Sequence, residues 1–421
     1  MEIPRGNTLA LKLLNIIQRY PPALGGSELY FQKLSEFLAS KGHDISVWTS
    51  SADNLESFWS NRHPMLSCGE EFINSVKVRR FKLFHIPLQR LIFKLISRIP
   101  IRPLQCLTFS HNPITPGMLE LASRCDEKFD AVHAGCFPYA FPIHSGMKLA
   151  KNKKIPFLLT PFLHLGNLDD PRNRIRKGYT HPALMSLAHQ SDAIFAQTEF
   201  EAQTLEDLGI PHEKIHLQGM GVELETCTKG DPEIVRKLWG IPQHEIIVGH
   251  LANLSWDKGS TDLLLAMEIL WRKGIGAKLV LAGPAMPSFE KLFQSFPFKD
   301  QVIRTGPLST QEKQNFFAAI DIFALPSRSD SFGIVLLEAW ANRKPCVVYK
   351  AGGPGSLVKH QSDGLVVPCD NIESLANALE NLIEDKKLSE RLGLAGHGRI
   401  AKEFLWEQKL QVFENVLKSL T

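Results

Sequence analysis

Ser327-Arg328-Ser329-Asp330-Ser331-Phe332-Gly333-Ile334-Val335-Leu336-Leu337-Glu338-Ala339 decides how this chain of 421 residues is read. The apolar run 321–326 before it reads as a buried strand, and 333–341 as the helix that follows. One carboxylate therefore stands in the loop at a strand's exit, and a second stands inside the next helix. On one continuous helix the two would be rotated about 80° apart, which suits the two ends of a long ligand better than a close acid/base pair. Glu338 interrupts an otherwise apolar run, so a surface position explains it poorly. The reading is that Glu338 binds vicinal ribose hydroxyls, while Asp330 and the N–H groups of Ser331, Phe332 and Gly333 hold sugar hydroxyls. The helix N-terminus between them, with its partial positive charge, faces a diphosphate. The plain alternative makes Asp330 an N-cap and Glu338 a surface residue.

Working outward, strands at 245–252, 278–282, 321–326, 345–349 and 364–367 alternate with helices near 261–273, 311–319, 333–341 and 372–383. The same rhythm runs through the first half. Strands are expected at 11–20, 43–49, 76–84, 129–134, 156–160 and 192–197, and the first is followed by a helix over 27–40. Such alternation means parallel pairing, with both sheet faces covered. The fold expected is α/β with two doubly wound, Rossmann-like domains facing across a cleft at the carboxyl ends of their strands. The domains expected are 1–222 joined by a returning C-terminal helix at about 403–421, and 223–402, with 219–240 as the connection.

Composition narrows the class. The chain is 44% hydrophobic and 22% charged, with a net charge of +4. That bias is too weak to argue for nucleic acid but compatible with anionic small molecules or an anionic membrane surface. Seven cysteines are scattered without a C-x-x-C pair, which suggests neither a zinc site nor a disulfide framework and fits a reducing compartment. Residues 1–8 are polar and carry no secretory apolar region. No run approaches the roughly 20 apolar residues of a membrane span, so a cytoplasmic location is expected. At 87–99, Arg90, Lys94 and Arg98 share one helical face, with Leu91, Ile92, Leu95 and Ile99 around the other. That pattern fits a peripheral membrane contact, or a surface helix packed on the sheet.

Three further segments sit at strand exits. Tyr20-Pro21-Pro22-Ala23-Leu24-Gly25-Gly26-Ser27-Glu28 joins the first strand to its helix, and Gly25 and Gly26 allow a sharp turn whose N–H groups face a phosphate; a serine-capped glycine turn is the alternative. Leu254-Ser255-Trp256-Asp257-Lys258-Gly259 places Lys258 between a strand end and a helix start. Thr160-Pro161-Phe162-Leu163-His164 puts His164 at another strand's carboxyl end. His133, also at a strand end, reads as structural or acceptor-facing.

Together these segments resemble the retaining GT-B glycosyltransferases of family 4. The opening segment is similar to that family's E-x7-E region, 20–28 to its N-terminal GG loop, and 254–259 to its G-R-L-S-x-D-K-G segment. Ala351-Gly352-Gly353 and Asp363-Gly364-Leu365-Val366-Val367-Pro368 resemble the loop and strand near the nucleotide base. The resemblance covers nearly the whole chain. It implies transfer of a sugar from a nucleoside diphosphate sugar, the co-substrate, to a hydroxyl acceptor that is a glycan, glycolipid or small molecule. The anomeric configuration is retained and no metal or other cofactor takes part; no D-x-D stands at a strand end. Lys258, Asp330 and His164 become the catalytic candidates, and Gly25, Gly26, Asn253, Lys258, Ser331, Phe332, Gly333 and Glu338 the donor-binding ones.

The chain departs from the pattern in places. Asp330 stands for the family's first glutamate and is one methylene shorter. Asn253 stands for its arginine, a loss of about 1.5–3 kcal/mol toward the diphosphate if uncompensated, or roughly ten- to a hundredfold in rate. His250 or Arg328 is the candidate compensator. Ser356 replaces an acidic residue beside the base. The alternatives are a GT-B sugar-nucleotide epimerase or hydrolase, and a catalytically weak sugar-nucleotide-binding protein.

Overall fold

The structure is a computed structural model that describes residues 10–421; the polar stretch 1–8 lies outside the described residues. The first half forms one sheet from β1 (Lys12–Ile16), β2 (Asp44–Ser50), β3 (Gly69–Ile73), β4 (Val76–Phe81), β5 (Ala131–Gly135), β6 (Phe157–Thr160), β7 (Ala193–Ala196) and β8 (Ile215–Leu217). Their spatial order is β3-β4-β2-β1-β5-β6-β7-β8, parallel except for β3, which pairs antiparallel with β4. The second half contributes β9 (Ile247–Leu251), β10 (Lys278–Ala282), β11 (Val302–Gly306), β12 (Ile322–Leu325), β13 (Cys346–Tyr349) and β14 (Gly364–Val367). They lie in the order β11-β10-β9-β12-β13-β14, parallel throughout. Two doubly wound α/β domains result, as the strand–helix alternation requires. Leu13, Leu14 and Ile16 of β1 and Phe323 and Ala324 of β12 are fully buried, because helices cover both faces.

The differences from expectation have physical causes. β1 is shorter than 11–20: the chain leaves the ladder after Ile16 and carries Gln18 and Arg19, both buried, to the strand's exit. β3 was not anticipated. Its hairpin to β4 turns through Asn74 and Ser75 at φ 48° and 68°, a two-residue turn lacking the glycine that usually marks one. β8 and β11 are short edge strands with little apolar signal.

Residues 406–420 form the last helix, Trp406–Leu420, which returns to the first domain. Phe413 stands 4.5 Å from the ring of Phe195 and 4.7 Å from His133, and Glu414 meets His43 at 3.4 Å. His133 is therefore a core residue: its nitrogens reach Asn15 at 3.0 Å and Thr160 at 2.8 Å.

Strand order reverses at β1, between β2 and β5, and at β9, between β10 and β12. Clefts at such reversals are where folds of this class hold ligands. The domains also touch through backbone. Gly352 N–H donates to the Gly166 carbonyl at 2.8 Å, and Leu168 N–H to that of Lys350 at 3.1 Å. Gly352 has φ 52°, and a Cβ there would lie 2.4 Å from the Asp330 carbonyl, so only glycine lets this loop lie against Asp330.

Candidate functional site

Lys258 follows β9 and Asp330 follows β12, the strands beside the second reversal point. Lys258 Nζ donates to Asp330 Oδ2 at 2.7 Å and to the Ser329 carbonyl at 3.0 Å. Asp330 Oδ1 accepts the Gly333 N–H at 3.1 Å, so Asp330 does tie down the start of the Ile334–Ala341 helix while its other oxygen faces the lysine. Gly333, at φ 83°, is that helix's N-cap, and Phe332 is buried beside it. From the first domain, the loop after β6 brings His164, whose Nδ1 lies 2.7 Å from Ser329 Oγ. Its ring stacks on Tyr179 with centroids 4.5 Å apart. Three residues far apart in sequence thus meet at one point between the domains.

Their charge states differ. Burial takes His164 down to about 4; the Lys258 charge pushes the same way and outweighs Asp330. It is a neutral imidazole at physiological pH. Burial raises the Asp330 carboxyl, but Lys258, His164 and hydrogen bonds more than reverse this, and it lies below its ordinary value. The arrangement offers a cation, an anion and a neutral hydrogen-bonding ring.

Glu338 is 7% exposed. Lys313, on the Thr310–Ala319 helix, holds its Oε1, while Oε2 is buried without a partner among the described residues. Leaving a buried acceptor unsatisfied costs about 1–3 kcal/mol, which a ligand hydroxyl would relieve. Glu338 lies about 6 Å along the axis from the helix's first residue, so helix start and carboxylate address different parts of one ligand. Lys313 and Ser329 went unassigned in the sequence reading. Ser329 stood inside the decisive segment, whereas only tertiary packing brings Lys313 near.

The Gly25–Gly26 turn does not draw on the left-handed conformations that glycine alone adopts freely. Gly25 is extended, with φ 167°, a conformation any residue adopts. A Cβ would lie 2.1 Å from Glu28 Oε2, so a larger residue here would displace the carboxylate. Glu28 folds back beside it, pairs with Arg19 at 2.7 Å and accepts from Gln18 Nε2 at 3.2 Å. Gly26, the first residue of the Gly26–Ser40 helix, has open space where a side chain would go.

Residues 231–399 match the family of glycosyl transferases group 1, and residues 25–221 the glycosyl transferase 4-like domain. The chain belongs to the group 1, family 4 glycosyltransferases. Among its relatives is the N-acetyl-alpha-D-glucosaminyl L-malate synthase of Bacillus anthracis, 24% identical over 94% of each chain. Another is the alpha-D-kanosaminyltransferase of Streptomyces kanamyceticus, 31% identical over 38% of this chain and 41% of that one. Among solved structures, Anabaena HepE in complex with UDP and glucose superposes with a TM-score of 0.72 at 19% identity, covering 97% of this chain and 100% of that one. Sucrose-phosphate synthase from Thermosynechococcus elongatus gives 0.73 at 19% identity over 97% and 99% of the two chains. The fold is GT-B.

In this glycosyltransferase neither expected compensator replaces the arginine missing at Asn253, which lies exposed after β9. Arg328 pairs with Asp262 and Asp370, donates to the Trp256 carbonyl at 2.7 Å and stacks on Trp256 at 4.2 Å. His250 is fully buried between the Ala324 carbonyl at 2.8 Å and Ser260 Oγ at 2.9 Å, and burial takes it to about 4. The first charge is committed to the fold and the second is absent at neutral pH. Among the described residues, no helix is long and apolar enough to cross a membrane, and no three His, Cys, Asp or Glu side chains gather into a metal-binding set.

Proposed function

We propose that the protein moves a sugar from a nucleoside diphosphate sugar to a hydroxyl acceptor with retention of configuration, using fixed charge in place of a metal ion. The observation that carries this reading is the meeting of Lys258, Asp330 and His164 between the two domains, with the open oxygen of Glu338 farther along the same helix. HepE, of the same fold, was seen with UDP and glucose, which supports a nucleotide sugar in this cleft.

In the proposed mechanism Glu338 accepts the ribose hydroxyls, and the N–H groups of Ser331, Phe332 and Gly333 together with Asp330 position the sugar and diphosphate. Lys258 swings from Asp330 to the diphosphate as negative charge develops there, joined by Asn253 as a neutral donor and by the Gly25 and Gly26 amides from the other domain. Neutral His164 hydrogen-bonds the transferred sugar. The bond from the anomeric carbon to the diphosphate oxygen breaks, the acceptor oxygen bonds to that carbon on the same face, and the departing phosphate oxygen takes the acceptor's proton. Closure of 1–222 with 403–421 onto 223–402 excludes water during the step.

The test is a thermal-shift and turnover screen against UDP, GDP, ADP and dTDP sugars. One nucleotide class should stabilise the protein, and its sugar should be consumed only with an acceptor present, giving a product of the donor's anomeric configuration by NMR. Failure of the whole panel to bind or turn over overturns the proposal. Donor consumption without acceptor marks the hydrolase or epimerase reading. The committed state of Arg328 and His250 favours a slow enzyme, and Asn253→Arg should then raise kcat.

The same proposal places the protein at the inner face of a membrane through 87–99. Leu91 and Leu95 on the Gln89–Ile96 helix, and Leu88 just before it, are more than half exposed, with Phe93 turned inward. Arg90 lies over Trp59 at 4.9 Å, while Lys94 and Arg98 complement an anionic surface. Co-sedimentation with anionic vesicles should fall when Arg90, Lys94 and Arg98 become glutamate; equal binding removes the contact.

A further inference from the structure

On the flank of the first domain, away from the cleft, a cavity of about 510 Å³ opens between the helices Arg102–Leu107, Ala140–Lys153 and Pro182–His189. Arg102, His144, Lys148 and Lys151 line it, Met147 and Leu187 add apolar wall, and no carboxylate lines it. His144, Lys148 and Lys151 recur at a spacing that puts them on one helical face. The Ala140–Lys153 helix leaves the carboxyl end of β5, so Lys148 and Lys151 lie about 12 and 16 Å along its axis from the cleft end. Whatever binds here is not the sugar donor.

The cations are held without being neutralised. Arg102 donates to Gln105 at 2.7 Å, and Lys151 donates to Gln190. Both acceptors are uncharged amides, which fix the direction of a positive group without cancelling its field. Burial, then Lys148 and Lys151, hold His144 below its ordinary value, so that field acts at the cavity wall. Elsewhere on this domain cations meet acids: Lys12 with Asp44 and Glu127, Lys33 with Glu223, and Arg80 with Glu71. A guanidinium, two ammonium groups and an imidazole around one hollow form a donor set suited to a compact, multiply charged oxyanion.

We propose that this cavity binds a phosphate group, supplied either by a soluble phosphate or diphosphate or by an anionic lipid headgroup. Arg102 forks onto two oxygens, Lys148 and Lys151 supply point charges, and His144 closes the ring of donors. The headgroup source has access, because the chain just before Arg102 exposes Ile99 and Ile101. The site stands independently of the sugar-transfer chemistry.

The test uses the full chain, with inorganic phosphate, pyrophosphate, and phosphatidylcholine vesicles with and without phosphatidic acid as probes. Lys148 and Lys151 are exposed, so Lys148→Glu/Lys151→Glu should fold and still be stabilised by nucleotide sugar, which separates failure here from failure of the cleft. Binding should weaken about a hundredfold in this charge-reversed variant, and less in Lys148→Gln/Lys151→Gln, which removes the two charges without reversing them. Loss of phosphate or pyrophosphate binding assigns the soluble source. Loss of phosphatidic acid vesicle binding alone assigns the headgroup, provided Arg90→Glu/Lys94→Glu does not reproduce it. In the wild type, an occupied cavity should raise the titration midpoint of His144 followed by NMR. Equal binding of wild type and both Lys148/Lys151 double variants to every probe, or no binding by the wild type, overturns the proposal.

Discussion

Each domain ends a central strand in a loop and a helix N-terminus, and each places a carboxylate of its own there with a cation against it. In the first domain Glu28 pairs with Arg19, and the two side chains are 3% and 9% exposed. In the second Asp330 pairs with Lys258, at 21% and 25%. Arg19 is further fixed by the carbonyls of Leu24 at 3.1 Å and Asp53 at 3.2 Å. Lys258 hangs on a flexible stem with two oxygens to choose from. The same motif, a carboxylate at a helix start with a basic partner, is closed scaffold in one domain and an open, re-pairable contact in the other. Burial makes the difference: desolvated ions are costly to separate, whereas a lysine with a quarter of its side chain exposed can exchange partners.

The sharpest way to break this comparison is Glu28→Ala. It leaves the Arg19 guanidinium buried without its anion and should cost about 3–5 kcal/mol of stability, measured by urea unfolding. A loss below about 1 kcal/mol would mean that the carbonyls satisfy Arg19 alone and that the pair is not scaffold. Lys258→Met should do the reverse. Stability should fall less than in Glu28→Ala, by about 1–2 kcal/mol, while kcat falls about 10²–10³-fold, the usual effect of removing one group that stabilises developing charge. If Lys258→Met costs about 3 kcal/mol or more of stability yet spares kcat, the two pairs have exchanged roles.

How much of this was legible differs between fold and site. β10 and β14 lie on the residues the apolar runs marked, 278–282 and 364–367, because a parallel strand covered on both faces must be apolar along its length. β3 and β11 were not legible, since these edge strands are almost wholly unburied and need no such run, unlike the edge strand β14, where three of four residues are buried. Lys258, Asp330 and His164 could be placed at strand exits from local pattern alone. Their meeting through Ser329 could not, because it depends on how two domains pack. Arg19 was hidden for a related reason: inside what read as strand 11–20 it had no visible partner, and only the early exit of the chain from β1 turns it toward Glu28. Arg328 looked available because Asp262 and Asp370, which hold it, come from other elements.

A third carboxylate sharpens the comparison with a smaller effect. Glu201 lies in the first turn of the Glu199–Asp207 helix after β7, fully buried, accepting N–H groups of Leu163 and Gln197 at 2.8 Å each. Among the described residues no cation pairs with it, and burial outweighs those two hydrogen bonds to raise its carboxyl from 4.5 to about 7. The sign follows from proton counting. Between about pH 4.5 and 7 the folded state binds the proton and the unfolded state does not, so this contribution is full below the lower value and lost as pH rises through the upper one. Relative to Glu201→Gln, wild type should lose about 2–3 kcal/mol of unfolding free energy from pH 5 to pH 8. The constant offset between the two proteins, from an amide that cannot accept both N–H groups, does not enter. Parallel pH profiles would show Glu201 ionised throughout, and would mean that two loop amides alone can hold a buried carboxylate here without the lysine or arginine used elsewhere. Because Leu163 adjoins His164, a matching change in donor KM across the same pH range, absent in Glu201→Gln, would show that this proton also sets the position of the histidine loop.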